Sequence, residues 1–188
     1  MEFEPKKRNR LVGYDYSQDG YYFITVVTNK RKTILGNIIS GEFKSAEYGE
    51  LTSKVFNDIP AHYPGVKLDD LILMPNHIHA IIVINFDGSA RPGQEFVEGK
   101  NNYGLLSKII KSFKYELTKQ CKTYKLQKLE WQRSFYDHII RDEKGYLRIK
   151  EYMKNNPLKW ELDAENPAVN GDSYKYYKAL LDQDEDKP

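Results

Sequence analysis

The stretch VKLDDLILMPNHIHAIIVIN, residues 66–85, constrains the fold more than any other part of the chain. Two apolar runs of strand length flank Pro75-Asn76, a turn dipeptide, so they read as neighbouring strands of one hairpin. Along the second run, residues two apart point to the same face. His77 and His79 therefore stand with Ile81 and Val83, while Ile78, Ala80, Ile82 and Ile84 make a wholly apolar face that can pack under helices. The histidines sit just past the turn, and their face is expected to open to solvent or substrate.

Other strands and helices can be placed around this hairpin. Tyr21–Asn29, YYFITVVTN, is β-branched and aromatic, hence a strand. Lys32–Ser40 reads as a small hairpin or edge strand broken at Gly36-Asn37. Ser45 is expected to cap a helix that runs to about Ile59 and stops at Pro60. Phe86–Asn102 is a polar, glycine-containing loop. The clearest helix covers Leu105–Lys122: Leu106, Ile110, Phe113, Leu117 and Cys121 recur at helical spacing, and Lys108, Lys111, Tyr115, Lys119 and Lys122 fall on the opposite face. Glu130–Arg141 reads as a strand with an irregular start, and Asp142 caps a helix to about Asn155, ended by Pro157. Ser173–Leu181, SYKYYKALL, is a further short helix. Strands meeting through hairpins, with helices between, predict an α+β fold: a ferredoxin-like antiparallel sheet with helices mainly on one face.

The 188 residues suit one domain, taken as residues 1–160, followed by an extension, 161–188, without a motif. Net charge is +2, but the last seven residues carry −3 and the other 181 carry +5. A basic arm (Lys6, Lys7, Arg8, Arg10) and an acidic tail fit a domain that binds a polyanion. A lone cysteine, Cys121, fits a reducing compartment. The absence of a signal peptide and of a long apolar run predicts a soluble cytoplasmic protein that does not enter a membrane.

Two imidazoles on one strand face are near enough to share a metal ion, but an H-x-H pair alone also arises in plain sheet surfaces. There is no C-x-x-C, H-E-x-x-H, Walker A or G-x-S-x-G motif, so no nucleotide cofactor is expected and a different nucleophile is needed. The helix KEYMKNNPLKW offers one. Tyr152 and Asn156 are four apart and share a helix face, where the amide oxygen of Asn156 could complete a metal site and hold the phenol nearby.

With MPNHIHAIIVI, the basic helix LLSKIIKSFKYELTK, WQRSFYDHIIRDEKGYLRIKEYMKNNPLKW and the opening GYDYSQDGYYFITVVTNKRK, the chain resembles the HUH-type single-tyrosine transposases, and among them the REP-associated tyrosine transposases. The resemblance spans about Gly13 to Trp160. It implies a divalent metal, Mg2+ or Mn2+, held by His77, His79 and Asn156, with Tyr152 as the nucleophile that forms a 5′-phosphotyrosine with single-stranded DNA near a hairpin. His138 would brace the site or contact DNA. Met153 stands where the family commonly has isoleucine. Lys108, Lys111, Tyr115, Lys119, Lys122 and the N-terminal arm would bind DNA, and a monomer is favoured over a homodimer. The alternative reading is a non-catalytic nucleic-acid-binding module of RNA-recognition type, whose RNP1 signature is absent.

Overall fold

A computed structural model describes residues 14–86, 104–163 and 165–168. The N-terminal arm, with Lys6, Lys7, Arg8 and Arg10, lies outside them, as do most of the 86–102 loop, the 173–181 helix and the acidic tail. Among the described residues no helix is long and apolar enough to cross a membrane.

The strands β1 (Gly20–Val27), β4 (Val66–Leu73), β5 (His77–Ile84) and β6 (Tyr136–Ile140) form one sheet in the order β4-β5-β1-β6, and each neighbouring pair is antiparallel. Between β1 and β4 come a separate hairpin, β2 (Gly36–Ile39) and β3 (Glu42–Ser45), then helices α1 (Glu47–Asn57) and α2 (Ile59–His62). Helix α3 (Gly104–Thr123) links β5 to β6, and α4 (Glu143–Asn155) follows β6. The fold is α+β, and the βαββαβ order of the main sheet is the ferredoxin-like one.

The alternation of side chains divides the sheet into two differently covered faces. Tyr22, Ile24 and Val26 of β1 and Ile78, Ala80, Ile82 and Ile84 of β5 are buried with Leu51, Val55 and Phe56 of α1 and Leu106, Ile109, Ile110, Phe113 and Leu117 of α3. The second face carries Phe23 and Ile81, over which α4 lays Ile149 and Met153. Burying two such side chains contributes about 1.5–3 kcal/mol each. Helix α4 is also fixed at the edge of the sheet. Where the β4 register shifts between Leu68 and Asp70, Lys150 reaches Asp69 (3.4 Å) and Asp70 (2.8 Å), and the Tyr146 hydroxyl donates to Asp69.

Several local expectations need correction. Ser45 does not cap α1: it closes β3, and Ala46 precedes the helix without a side-chain cap. Pro60 does not end the helical region but sits in the first turn of α2, where its missing N–H costs nothing. The small hairpin reverses at Ser40-Gly41, both with left-handed φ (52° and 77°), not at Gly36-Asn37. Asp142 does cap α4, its carboxylate accepting from the Gly145 N–H at 2.7 Å. Leu147 lies on the outer side of α4, 58% exposed.

Candidate metal centre and nucleophile

β5 presents its two histidines on the face that α4 covers, beside β1, whose Val27 and Thr25 lie opposite His77 and His79. That face is not open. His77 and His79 are 0% and 1% exposed, because α4 and the chain after it, a 3-10 turn (Pro157–Leu162) leading into Asp163, Glu165 and Asn166, close over them. Trp160 sets its ring 6.1 Å from that of His77.

The outer atoms of the imidazoles are held by the surrounding fold. Asn76 is fully buried, and its Nδ2 donates to the carbonyls of Arg31 (3.1 Å) and Glu165 (2.6 Å). This commitment leaves its Oδ1 as an acceptor, so His77 Nδ1–H donates to it at 2.8 Å, and His77 Nε2 keeps a bare lone pair. His79 Nδ1 lies 2.9 Å from Thr25 Oγ1, a hydroxyl that can donate or accept. The two Nε2 atoms face each other at 3.0 Å. With a bare lone pair on His77, that approach requires a proton on His79 Nε2 or a cation between them.

Asp163 supplies the third donor. Its Oδ1 accepts the Glu165 N–H at 2.7 Å, while its Oδ2 is buried without a hydrogen-bond partner, 3.9 Å from His77 Nε2. Ligand atoms of His77, His79 and Asp163 all lie within 4.8 Å of one another. Burial, with the Arg31 charge in second place, pushes the His77 pKa down to about 3, and burial also holds His79 well below the usual imidazole value. Burial raises that of Asp163, partly opposed by His79, the Glu165 N–H, the Asn156 side chain and the Arg31 charge. The imidazoles are thus neutral at pH 7, the form that donates to a metal. Two neutral nitrogens and an orphaned carboxylate oxygen, aimed at one buried point and oriented from behind by Asn76 and Thr25, fit a divalent cation.

Tyr152 stands at the rim of this cluster. Its hydroxyl is 3.3 Å from His79 Nε2, and Asn156 Nδ2, one turn further along α4, donates to it at 3.3 Å. Phe23 meets the Tyr152 ring edge to face and stacks on His79, which fixes both.

The chain matches no family model. An uncharacterised protein of Haemophilus influenzae is 34% identical over 169 residues, spanning 82% of this chain and 89% of that protein. A second Haemophilus influenzae protein, named "Putative REP-associated tyrosine transposase", is 28% identical over 153 residues, 77% of this chain and 74% of that one. Among solved structures, that of a REP-associated tyrosine transposase bound to a REP hairpin has a TM-score of 0.55 at 20% identity, covering 85% of this chain and 76% of the other. That likeness is one of fold. By sequence and by fold the chain is similar to the REP-associated tyrosine transposases.

The predicted His77, His79, Tyr152 and Asn156 meet at one place. His138 lies on the same sheet face, opposite Phe23 in the β1–β6 register. Lys108, Lys111, Tyr115, Lys119 and Lys122 are all exposed on α3, and the buried side of that helix packs on the other face of the sheet. The basic stripe and the histidine cluster are therefore in different layers. Sequence reasoning missed Asp163, Asn76 and Thr25. Asp163 lies in the polar run after Trp160, and only the fold brings it to the histidines.

Proposed function

We propose that the protein is a metal-dependent nuclease and strand transferase acting on single-stranded DNA beside a hairpin, with Tyr152 as nucleophile. The observation that carries this reading is the Tyr152 hydroxyl, 3.3 Å from His79 Nε2 at the edge of a buried three-donor cluster. His77, His79 and Asp163 would hold Mg2+ or Mn2+, with Asn156 adjoining. Nitrogen donors favour Mn2+ over the harder Mg2+. When bound, the cation supplies Lewis-acid polarisation of a phosphodiester oxygen.

The protein's own groups account for the rest. To free its Nε2 lone pair, His79 carries its proton at Nδ1, where Thr25 Oγ1 accepts it. Asn156 holds the phenol oxygen in place. The Tyr152 oxygen attacks phosphorus and loses its proton; the P–O3′ bond breaks; the leaving oxygen departs as a 3′-hydroxyl, and the 5′-phosphate stays on the tyrosine. The phosphotyrosine retains the ester, so its transfer to another 3′-hydroxyl needs no nucleotide cofactor. The hairpin DNA in the related structure supports hairpin DNA as the partner here. Lys108, Lys111, Tyr115, Lys119, Lys122 and the N-terminal arm would supply phosphate and base contacts. The protein would act as a monomer in the cytoplasm.

The test uses hairpin DNA labelled on the 3′ side of candidate cleavage sites, with Mn2+ or Mg2+, on denaturing gels. A labelled protein band that disappears with EDTA and in Tyr152→Phe is expected. Cleavage that persists in Tyr152→Phe without an adduct would transfer the chemistry to water and overturn the reading. DNA binding without cleavage of any hairpin would favour the binding module.

A further inference from the structure

Beside the metal cluster lies a loop whose geometry the reaction above does not use. After β1 the chain turns through Asn29–Arg31 with two consecutive non-glycine residues in the left-handed region, Lys30 (φ 56°) and Arg31 (φ 53°). Such strain persists only where surrounding contacts impose it, and it gathers at functional positions. The contacts are here: the Thr28 amide donates to Asn76 O, Thr28 Oγ1 to Lys32 O, the Arg31 amide to Thr28 O, and Asn76 Nδ2 to Arg31 O. The same Asn76 side chain orients His77, so one amide group fixes both Arg31 and a histidine of the metal cluster.

The Arg31 side chain is 46% exposed, and its Nε donates to Glu165 Oε2 at 2.7 Å. The ionisable groups around it are Glu165, Asp163, Tyr136 and His77. Glu165 is 11% exposed and comes from the segment that closes the site. A guanidinium fork accepts a carboxylate and a phosphate in the same geometry. A partly exposed arginine, rigidly placed beside a metal cluster, with a carboxylate on it, is arranged as an anion site.

We propose that Arg31 is a phosphate-binding residue of the active site: its guanidinium engages a non-bridging oxygen of the DNA phosphodiester, in the place that the Glu165 carboxylate occupies in this conformation. The inference rests on the proposed action on single-stranded DNA, and it adds a substrate contact from the β1–β2 loop. DNA and Glu165 then compete for one cation. The simpler alternative is that Arg31 only fastens the 157–166 segment over the histidines.

The two readings predict different signs. Full-length protein carrying Tyr152→Phe, so that no covalent product forms, is titrated with fluorescein-labelled oligothymidylate in Mn2+ at several salt concentrations. Arg31→Ala should weaken binding about tenfold and lower the log–log salt slope by about 0.7, one single-strand phosphate contact. Arg31→Lys should fall between, since it keeps the charge without the fork. Glu165→Gln should tighten binding several-fold. A pure fastener would make Arg31→Ala and Glu165→Gln shift binding the same way, and that result, or insensitivity to both, overturns the proposal. Adduct formation in the Tyr152 background, measured in parallel, separates the two claims. If wild type makes no adduct but binding moves in opposite senses, Arg31 stands and the tyrosine chemistry fails. An adduct at the wild-type rate in Arg31→Ala removes Arg31 and leaves the chemistry.

Discussion

Asp163 Oδ2 and His77 Nε2 face each other at 3.9 Å, both buried, and the carboxylate oxygen has no hydrogen-bond partner. Burial raises the carboxyl pKa and lowers that of the imidazole, so the pair is not held by its own charges. An unpaired buried anion costs stability that a bound cation would recover.

Asp163→Asn should therefore change sign with metal. In EDTA the variant should be at least as stable as wild type, because the orphaned carboxylate is gone. In excess Mn2+ the order should reverse, since wild type gains about 2.7 kcal/mol at a cation concentration a hundred times its dissociation constant and the variant gains less. Thermal unfolding with and without Mn2+ reads both arms. Equal metal-induced shifts in the two proteins would exclude Asp163 as a ligand.

Asn76 joins three parts of the site through one buried side chain. Asn76→Ala leaves the carbonyls of Arg31 and Glu165 and the Nδ1–H of His77 without their partner. A loss of at least about 2 kcal/mol in urea denaturation is expected. Mn2+ affinity should fall roughly 10- to 100-fold, as for other residues that orient a histidine ligand from behind. A variant as stable as wild type would show that water replaces the amide without cost.

How far these relations could be read in the sequence depended on whether they are local. The alternation of β5 places His77 and His79 on one face, and the four-residue spacing of Tyr152 and Asn156 puts them on one side of α4; both hold in the structure. The α3 stripe likewise follows from helical period, with Ile110, Phe113 and Leu117 buried and the lysines exposed. Asp163 follows a 3-10 turn with a kink at Lys159, and no periodicity carries a prediction across that. The closure over the histidines was equally hidden, since it depends on tertiary contacts of Trp160 and Glu165. Nothing in NKRK, residues 29–32, signals two consecutive left-handed residues.

The separation of the α3 stripe from the histidine face has a kinetic consequence. Replacing Lys108, Lys111, Lys119 and Lys122 by glutamine should weaken binding of hairpin DNA and flatten its salt dependence, by up to about 0.9 in log–log slope for each duplex phosphate that is no longer neutralised. The rate of adduct formation at saturating DNA should change less than about threefold, because no stripe residue is in the layer of Tyr152. A large fall in the saturated rate with affinity intact would mean that the stripe reaches the reacting strand.

Lys114 gives a pH dependence away from the histidine cluster. It projects from α3 beneath the segment before β6, and its Nζ donates to the carbonyls of Gln132 (2.8 Å) and Ser134 (3.3 Å). Burial brings its pKa down from 10.5 to about 8. Between these values the unfolded chain binds the proton and the folded chain does not, so stability rises with pH across about 8 to 10.5, by at most about 1.4 kcal/mol per unit. Below pH 8 both states carry the charge, and the cost of burying it is felt in full. Lys114→Met removes that cost together with two hydrogen bonds. The difference in unfolding free energy between wild type and variant should then drift in favour of wild type as pH rises from 8 to 10.5. A difference that stays flat over this range would show that the ammonium is as well solvated in the folded protein as in the unfolded chain.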